Sequence, residues 1–264
     1  VFVLCDEIFT PGQPILLTVE PRSVAILKIE LAANREATTW KQHWDALAEA
    51  GLLEPHLVVS DQGAGLVKGC TLMGLTHHPD VFHLLRPLAC CGERLYRKAL
   101  AAIAREYERG DLTVGRSDAV ITKRVAAYAA AKAEADEQIR RYDNFCYLWT
   151  ALRQPLELFD AHGDLPLLTP RQEEIAAIIQ LLETLPCPHL QQALASFAAG
   201  LEGYWGYYQR AEQVYQAYST RYPRDVVQAL ALAWQLRRQA TNSKTYGIRK
   251  RLTQDAACYF DYAA

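Results

Sequence analysis

The stretch Val1-Phe2-Val3-Leu4-Cys5-Asp6-Glu7 is a run of strand-forming residues that breaks at an acid, and Leu57-Val58-Val59-Ser60-Asp61-Gln62-Gly63 repeats the pattern later in the chain. An apolar run that ends where acidic, Gly and polar residues begin places a carboxylate at the C-terminal edge of a strand. Two such edges side by side hold two carboxylates on rigid elements, close enough to share divalent cations. Between them, Pro14-Ile15-Leu16-Leu17-Thr18-Val19-Glu20 and Ala25-Ile26-Leu27-Lys28-Ile29-Glu30-Leu31 are short and rich in β-branched residues. Only Pro21-Arg22-Ser23 and Val24 separate them, so they read as a tightly connected antiparallel pair. Thr38-Thr39 can cap a helix with Trp40, Trp44, Leu47 and Ala48 on its apolar face, stopped by Gly51. The chain then returns through Pro55 into the second Asp-bearing strand.

Further on, His78-Pro79-Asp80-Val81-Phe82-His83 contains an Asp-x-x-His step. Taken alone, an Asp at a strand end is most often a turn former or helix cap. Asp80 and His83 can likewise be a cap and a partly buried histidine. His77 and His78 are adjacent, so on a strand they point to opposite faces and flank a site instead of ligating one ion together.

In their order, these parts resemble the catalytic core of a DDE transposase of the bacterial insertion-sequence type. The resemblance rests on Asp6-Glu7-Ile8-Phe9, the strand pair, Ser60-Asp61-Gln62-Gly63-Ala64-Gly65 and the Asp80-x-x-His83 step. It implies an α/β fold: an incomplete ribonuclease-H-like core with a large all-helical insertion. It also implies a metal-dependent enzyme that cleaves and transfers DNA strands. Asp6 and Asp61 would be the catalytic, metal-binding acids for two Mg²⁺ or Mn²⁺ ions, with Asp80 and His83 flanking the site and Glu7 either behind the site or exposed. The partners implied are double-stranded DNA, as element ends and target, and further copies of the chain on that DNA. The setting implied is the bacterial cytoplasm, at the nucleoid. The family's third acid sits on a final helix in a polar stretch that this sequence lacks. Glu157 and Glu202 are the in-chain candidates, and the expectation is that the third ligand lies beyond Ala264, the chain being an internal part of a longer protein. A nuclease of the same fold, or an inactive DNA-binding or assembly module, would share the two aspartates.

After Leu88 the pattern becomes helical. Helices are expected over 93–109, 119–152, 171–185, 189–220 and 224–240, giving three regions: a core over 1–90, a helical insertion over 91–240, and a basic segment over 241–264 leading back toward the core. Lys123, Arg124, Lys132, Arg140 and Arg141 lie on the long helix among Glu134, Asp136 and Glu137, which reads as a solvated face. The aromatics from Tyr204 to Tyr208 sit at helical spacing and read as core. Lys244, Arg249, Lys250 and Arg251 have few acids nearby and form the best candidate phosphate-contacting patch.

Composition is compatible with this and narrows it. Among 264 residues, 50% are hydrophobic and 22% charged, enough for a proper core, and the net charge of −2 excludes a uniformly basic surface. No apolar run reaches the roughly 18 residues a membrane helix requires. Seven cysteines without a C-x-x-C pair indicate reduced thiols in place of a disulfide frame or zinc cluster.

Overall fold

The computed structural model describes residues 2–21, 23–51, 56–110 and 117–264. Val1, Arg22 of the expected turn and Pro55 of the return to the second strand lie outside the described residues. Two compact units are present: residues 1–93 with 188–207, and residues 94–187 with 208–264. No described helix is long and apolar enough to cross a membrane.

The first unit is α/β. Its sheet contains β1 (Phe2–Phe9), β2 (Pro14–Glu20), β3 (Ala25–Leu31), β4 (Leu57–Ser60) and β5 (Thr76–Pro79), in the order β3-β2-β1-β4-β5. The first three strands are antiparallel neighbours, and β4 and β5 run parallel to β1. Parallel pairing needs a crossover. Helix α1 (Ala37–Glu49) provides it between β3 and β4, and α2 (Ala64–Leu72) provides it between β4 and β5.

The two faces of this sheet differ. Val3, Cys5, Leu16, Thr18 and Val58 point to one side, where Trp40, Trp44 and Leu47 of α1 and Leu66 and Cys70 of α2 close a fully buried core. Alternation sends Leu4, Asp6 and Ile8 to the other side, with Leu17, Ile29 and Leu31 as cross-strand neighbours. That second face is largely exposed along the hairpin: Leu4 is 40% and Ile29 60% accessible.

Glycines set the approach of α2 to α1. A Cβ on Gly65 would lie 1.8 Å from the Arg35 carbonyl oxygen, and one on Gly69 would lie 3.0 Å from Trp40 Cβ. The spacing of four residues puts both glycines on one side of α2, Gly65 against the Arg35 backbone and Gly69 against the α1 tryptophans.

Helix α1 starts at Ala37 with Glu36 at its N-cap and no capping side chain. The expected cap by Thr38-Thr39 is therefore replaced. Asn34 Oδ1 accepts from the Glu36 N–H and the Thr39 hydroxyl, holding the turn just outside the helix. On the inner face of α1, His43 is buried where the sequence reading had Ala48, which is exposed. His43 Nδ1 is 2.9 Å from Glu30 Oε2, and its Nε2 is 3.0 Å from Thr18 Oγ1, which in turn contacts Cys5 Sγ. A polar chain thus crosses from β3 through α1 to β1.

The remaining described elements are helical: α3 (Val81–Arg109), α4 (Asp118–Arg153), α5 (Leu168–Glu183), α6 (Pro188–Ser219), α7 (Arg224–Asn242) and α8 (Tyr246–Ala263). Helix α3 begins twelve residues earlier than the expected 93, through Pro87, because Asp80 caps it. Helices α3 and α6 each have residues in both units.

The division also departs from the expected 1–90, 91–240 and 241–264. The first part of α6 belongs with the sheet, because Gly200, Gly203 and Gly206 let its backbone approach Gln62, Pro79 and His78. The 241–264 segment belongs with the helical unit. There α8 packs on α7, with Arg237 over the Phe260 ring and Tyr262 donating to Asp225. In the same unit the buried Arg171 guanidinium donates to the carbonyls of Pro155 and Leu158 and lies over the Tyr208 ring.

Candidate functional site at the β1–β4 edge

The last paired rung between β1 and β4 is Cys5 with Ser60, which puts Asp6 and Asp61 at the next position on neighbouring parallel strands. Beyond that rung the sheet splits: β1 continues against β2 to Phe9, while β4 ends and its chain turns into α2. The two aspartates flank this opening. Asp6 is exposed and Asp61 half-buried. In each, one carboxylate oxygen is held by a nearby backbone N–H: Glu7 N–H donates to Asp6 Oδ1 at 2.8 Å, and Gly63 N–H to Asp61 Oδ1 at 3.0 Å. Such bonds fix a carboxylate while leaving its second oxygen for another ligand.

Asp61 is further held through its main chain. Ser60 Oγ donates to the Asp61 carbonyl at 2.7 Å and lies 2.9 Å from His77 Nε2. With the single hydroxyl proton used on Asp61, the imidazole is the donor to Ser60. Burial is the main influence on His77 and holds its pKa below the usual histidine value. A neutral ring protonated at Nε2 fits that environment.

Glu7 is marked by no motif of its own in the chain. It is a buried carboxylate on the inner face, its side chain 1% accessible. Trp40 Nε1–H donates to Glu7 Oε1 at 3.0 Å, and Arg35 approaches Oε2 at 3.4 Å. A Cβ on Gly63 would lie 3.0 Å from Asp61 Oδ1 and 3.5 Å from Glu7 Oε1. Glu7 and Asp61 therefore border the same glycine, and a methyl group there would press on the Asp61 carboxylate. The signal available in the sequence was the pairing of an acid in a buried-face position with a tryptophan on the covering helix.

No match was found among known protein families or curated proteins.

Asp80 caps α3: its Oδ1 accepts from the Phe82 N–H at 2.8 Å, and His83 Nε2 lies 3.9 Å from its Oδ2. Of the in-chain candidates for a third acid, Glu157 lies in the second unit, paired with Arg238. Glu202 is exposed on α6 and lines a cleft of about 580 Å³ together with Gln62, Lys68 and His77. Among the described residues, no group of three or more His, Cys, Asp or Glu side chains is gathered closely enough to hold a metal ion. Asp6 and Asp61 suit Mg²⁺ or Mn²⁺ in kind, since both ions favour hard carboxylate oxygens and retain water, and the β1–β4 rung brings their backbone positions to one edge.

The candidate DNA-contacting residues Lys244, Arg249, Lys250 and Arg251 are all exposed around the start of α8, with Arg249 donating to the Ser243 carbonyl. On α4, Lys132 pairs with Asp136, and Arg140 and Arg141 pair with Glu137. Those three cations face neighbouring acids on their own helix. Tyr204 and Tyr208 are buried in their units, whereas Tyr207 and Tyr218 keep exposed surface.

Proposed function

We propose that the chain is catalytic-core sequence of a DDE transposase, with Asp6 and Asp61 as its first two metal-binding acids. The observation that carries this is the parallel β1–β4 rung, which brings two distant Asp-bearing strand ends to one edge. The finer reading of the fold, a ribonuclease-H-like core, is supported by the order β3-β2-β1-β4-β5, with a hairpin on one side and parallel strands on the other. That order is what the strand–hairpin–helix–strand sequence has to produce if both aspartates are to meet.

In this reading Asp6 and Asp61 hold the divalent ions, and bound ions supply activation of a water or 3′-hydroxyl nucleophile and neutralise charge at the scissile phosphate. The protein's own part is positional. Backbone N–H groups fix one oxygen of each aspartate, the His77–Ser60 pair fixes the Asp61 main chain, and Glu7 holds the floor beneath Gly63. The exposed cations of α8 serve as backbone contacts to duplex DNA. A third acid comes from outside the described constellation.

The test has two parts. Mn²⁺ titration with NMR detection should broaden resonances around residues 6 and 61, weakly, since two carboxylates leave most of the coordination to water. Asp6→Asn and Asp61→Asn should abolish that broadening. Any Mn²⁺-dependent nicking of plasmid DNA should fall at least about a hundredfold in either variant, on the scale of losing one stabilising group from a reacting centre. Broadening centred elsewhere, or nicking that survives both substitutions, refutes the assignment. Joining of a labelled 3′-end to plasmid DNA separates a transposase from a hydrolytic nuclease of the same fold.

A further inference from the structure

We infer that Arg35 is a phosphate-holding side chain of this edge, its ligand being a phosphodiester of the nucleic acid; the inference rests on the DNA-cleaving reading above. Arg35 precedes α1 and is fixed at several points. Its carbonyl oxygen abuts Gly65 of α2, its guanidinium lies 5.2 Å from the centre of the Phe9 ring, and its NH1 approaches Glu7 Oε2 at 3.4 Å. Even so, 59% of its side chain remains accessible.

The contrast between anchor and exposure is informative. Glu7 is almost wholly buried and is itself held by the Trp40 indole, so a line of contacts runs from the core of α1 through Glu7 to the guanidinium. A guanidinium has five N–H donors in a fixed fork, and the long contact to Glu7 occupies one. The others are presented toward solvent from a side chain backed by an aromatic ring and a carboxylate. This is a pre-organised fork, and such a fork loses less freedom on meeting a phosphate than a free surface lysine does.

Position and charge agree with this role. Glu7 borders Gly63, and Gly63 borders Asp61, so Arg35 lies on the carboxylate edge and not on a remote surface. Asp6, Glu7 and Asp61 make that edge acidic, and a phosphodiester drawn to it needs a cation beside the metal-binding acids. If Arg35 served only as the counterion of Glu7, its removal would lower stability and leave DNA binding untouched.

The experiment is fluorescence anisotropy of a labelled short duplex with the 264-residue chain, without divalent ions, across a salt series, for wild type, Arg35→Gln and Arg35→Lys. Melting temperature is measured alongside. Arg35→Gln should weaken binding roughly tenfold at low salt, as expected for one charge-assisted contact. It should also reduce the slope of log affinity against log salt by about 0.9. Arg35→Lys should restore the slope but only part of the affinity, because an ammonium lacks the fork. Wild-type affinity and slope in Arg35→Gln, with only a lowered melting temperature, would overturn the inference while leaving the Asp6–Asp61 reading standing. An Arg35 effect on binding, in a chain whose Mn²⁺ response ignores Asp6 and Asp61, would retain the phosphate site and remove the catalytic reading.

Discussion

Replacing Gly65 with Ala should destabilise the chain, although helix propensity alone gives the opposite sign. Gly65 lies within α2, where Ala is preferred over Gly by up to about 1 kcal/mol. The added Cβ would lie 1.8 Å from the Arg35 carbonyl oxygen and 2.9 Å from its carbonyl carbon, and both are backbone atoms that no rotamer change can move. Restoring an ordinary contact of 3.4 Å requires the two backbones to part by about 1.6 Å. Leu66 and Cys70, buried on the same short helix, would be dragged out of contact with the α1 tryptophans. Strain and lost packing of this kind cost about 3 kcal/mol, the upper end for overpacked cores. Set against the helical preference, the net loss is about 2 kcal/mol, or about 4–8 °C in melting temperature for a domain of this size. Gly247→Ala is the matched control, since its Cβ would meet nothing within 4 Å on α8, and it should melt at or slightly above wild type. Differential scanning calorimetry of both variants decides the matter. A Gly65→Ala protein as stable as wild type would show that α1 and α2 do not approach as described.

Trp40→Phe should cost about 1–3 kcal/mol beyond the small change in packing, because it strips a donor from the buried Glu7 carboxylate; chemical denaturation measures it, and a loss under half a kcal/mol refutes the bond. Burial holds the His43 pKa below 6.5, so its stabilising effect is complete above that value and is lost as pH falls below it; Glu30, held below 4.5 chiefly by its bond to Lys28, adds a second loss at lower pH. Melting temperature should therefore fall on acidification from pH 7 toward 5, and His43→Gln should flatten that part of the curve; an unchanged slope assigns it elsewhere. Burial pushes the Cys5 thiol up to about 11 and Cys70 to about 12, so at neutral pH iodoacetamide should label the exposed Cys90 and Cys258 first, and mass spectrometry showing early Cys5 labelling would contradict the packed core. The triple change of Arg249, Lys250 and Arg251 to Ala should lower the DNA-binding salt slope by up to about three units, and an unchanged slope would mean that these side chains only solvate α8.

The hairpin strands and β4 were legible because each is a short β-branched run bounded by turn residues, and the observed bounds 14–20, 25–31 and 57–60 fall where the sequence put them. The start of α3 was obscured because Asp80 reads equally as a turn former, a helix cap or a site residue, and only its bond from the Phe82 N–H shows that the helix begins there. The docking of α6 on the sheet was illegible for a different reason. Gly200 and Gly203 act through what they lack, and the periodic apolar residues around them indicate a helix without indicating its neighbour. At the site, Asp6 and Asp61 were marked by broken strands. Glu7 looked like an ordinary acid beside an important one, because its burial is decided by a tryptophan 33 positions away. His43 was missed likewise: the apolar face of α1 predicts a hydrophobic residue there, and its polar partners lie on other strands.

The unequal faces of the sheet bear on how the protein can be handled. The inner face admits almost no change, since Leu16, Thr18 and Val58 have no contact with solvent and Val3 very little. The outer residues of the hairpin carry little packing, so Thr or Lys at Ile26, Ile29 or Leu31 removes greasy surface from a marginal strand while leaving the buried layer as it was. Purification yield and monodispersity are thus adjustable from the outer side of the hairpin, by rewriting positions that do not build the core.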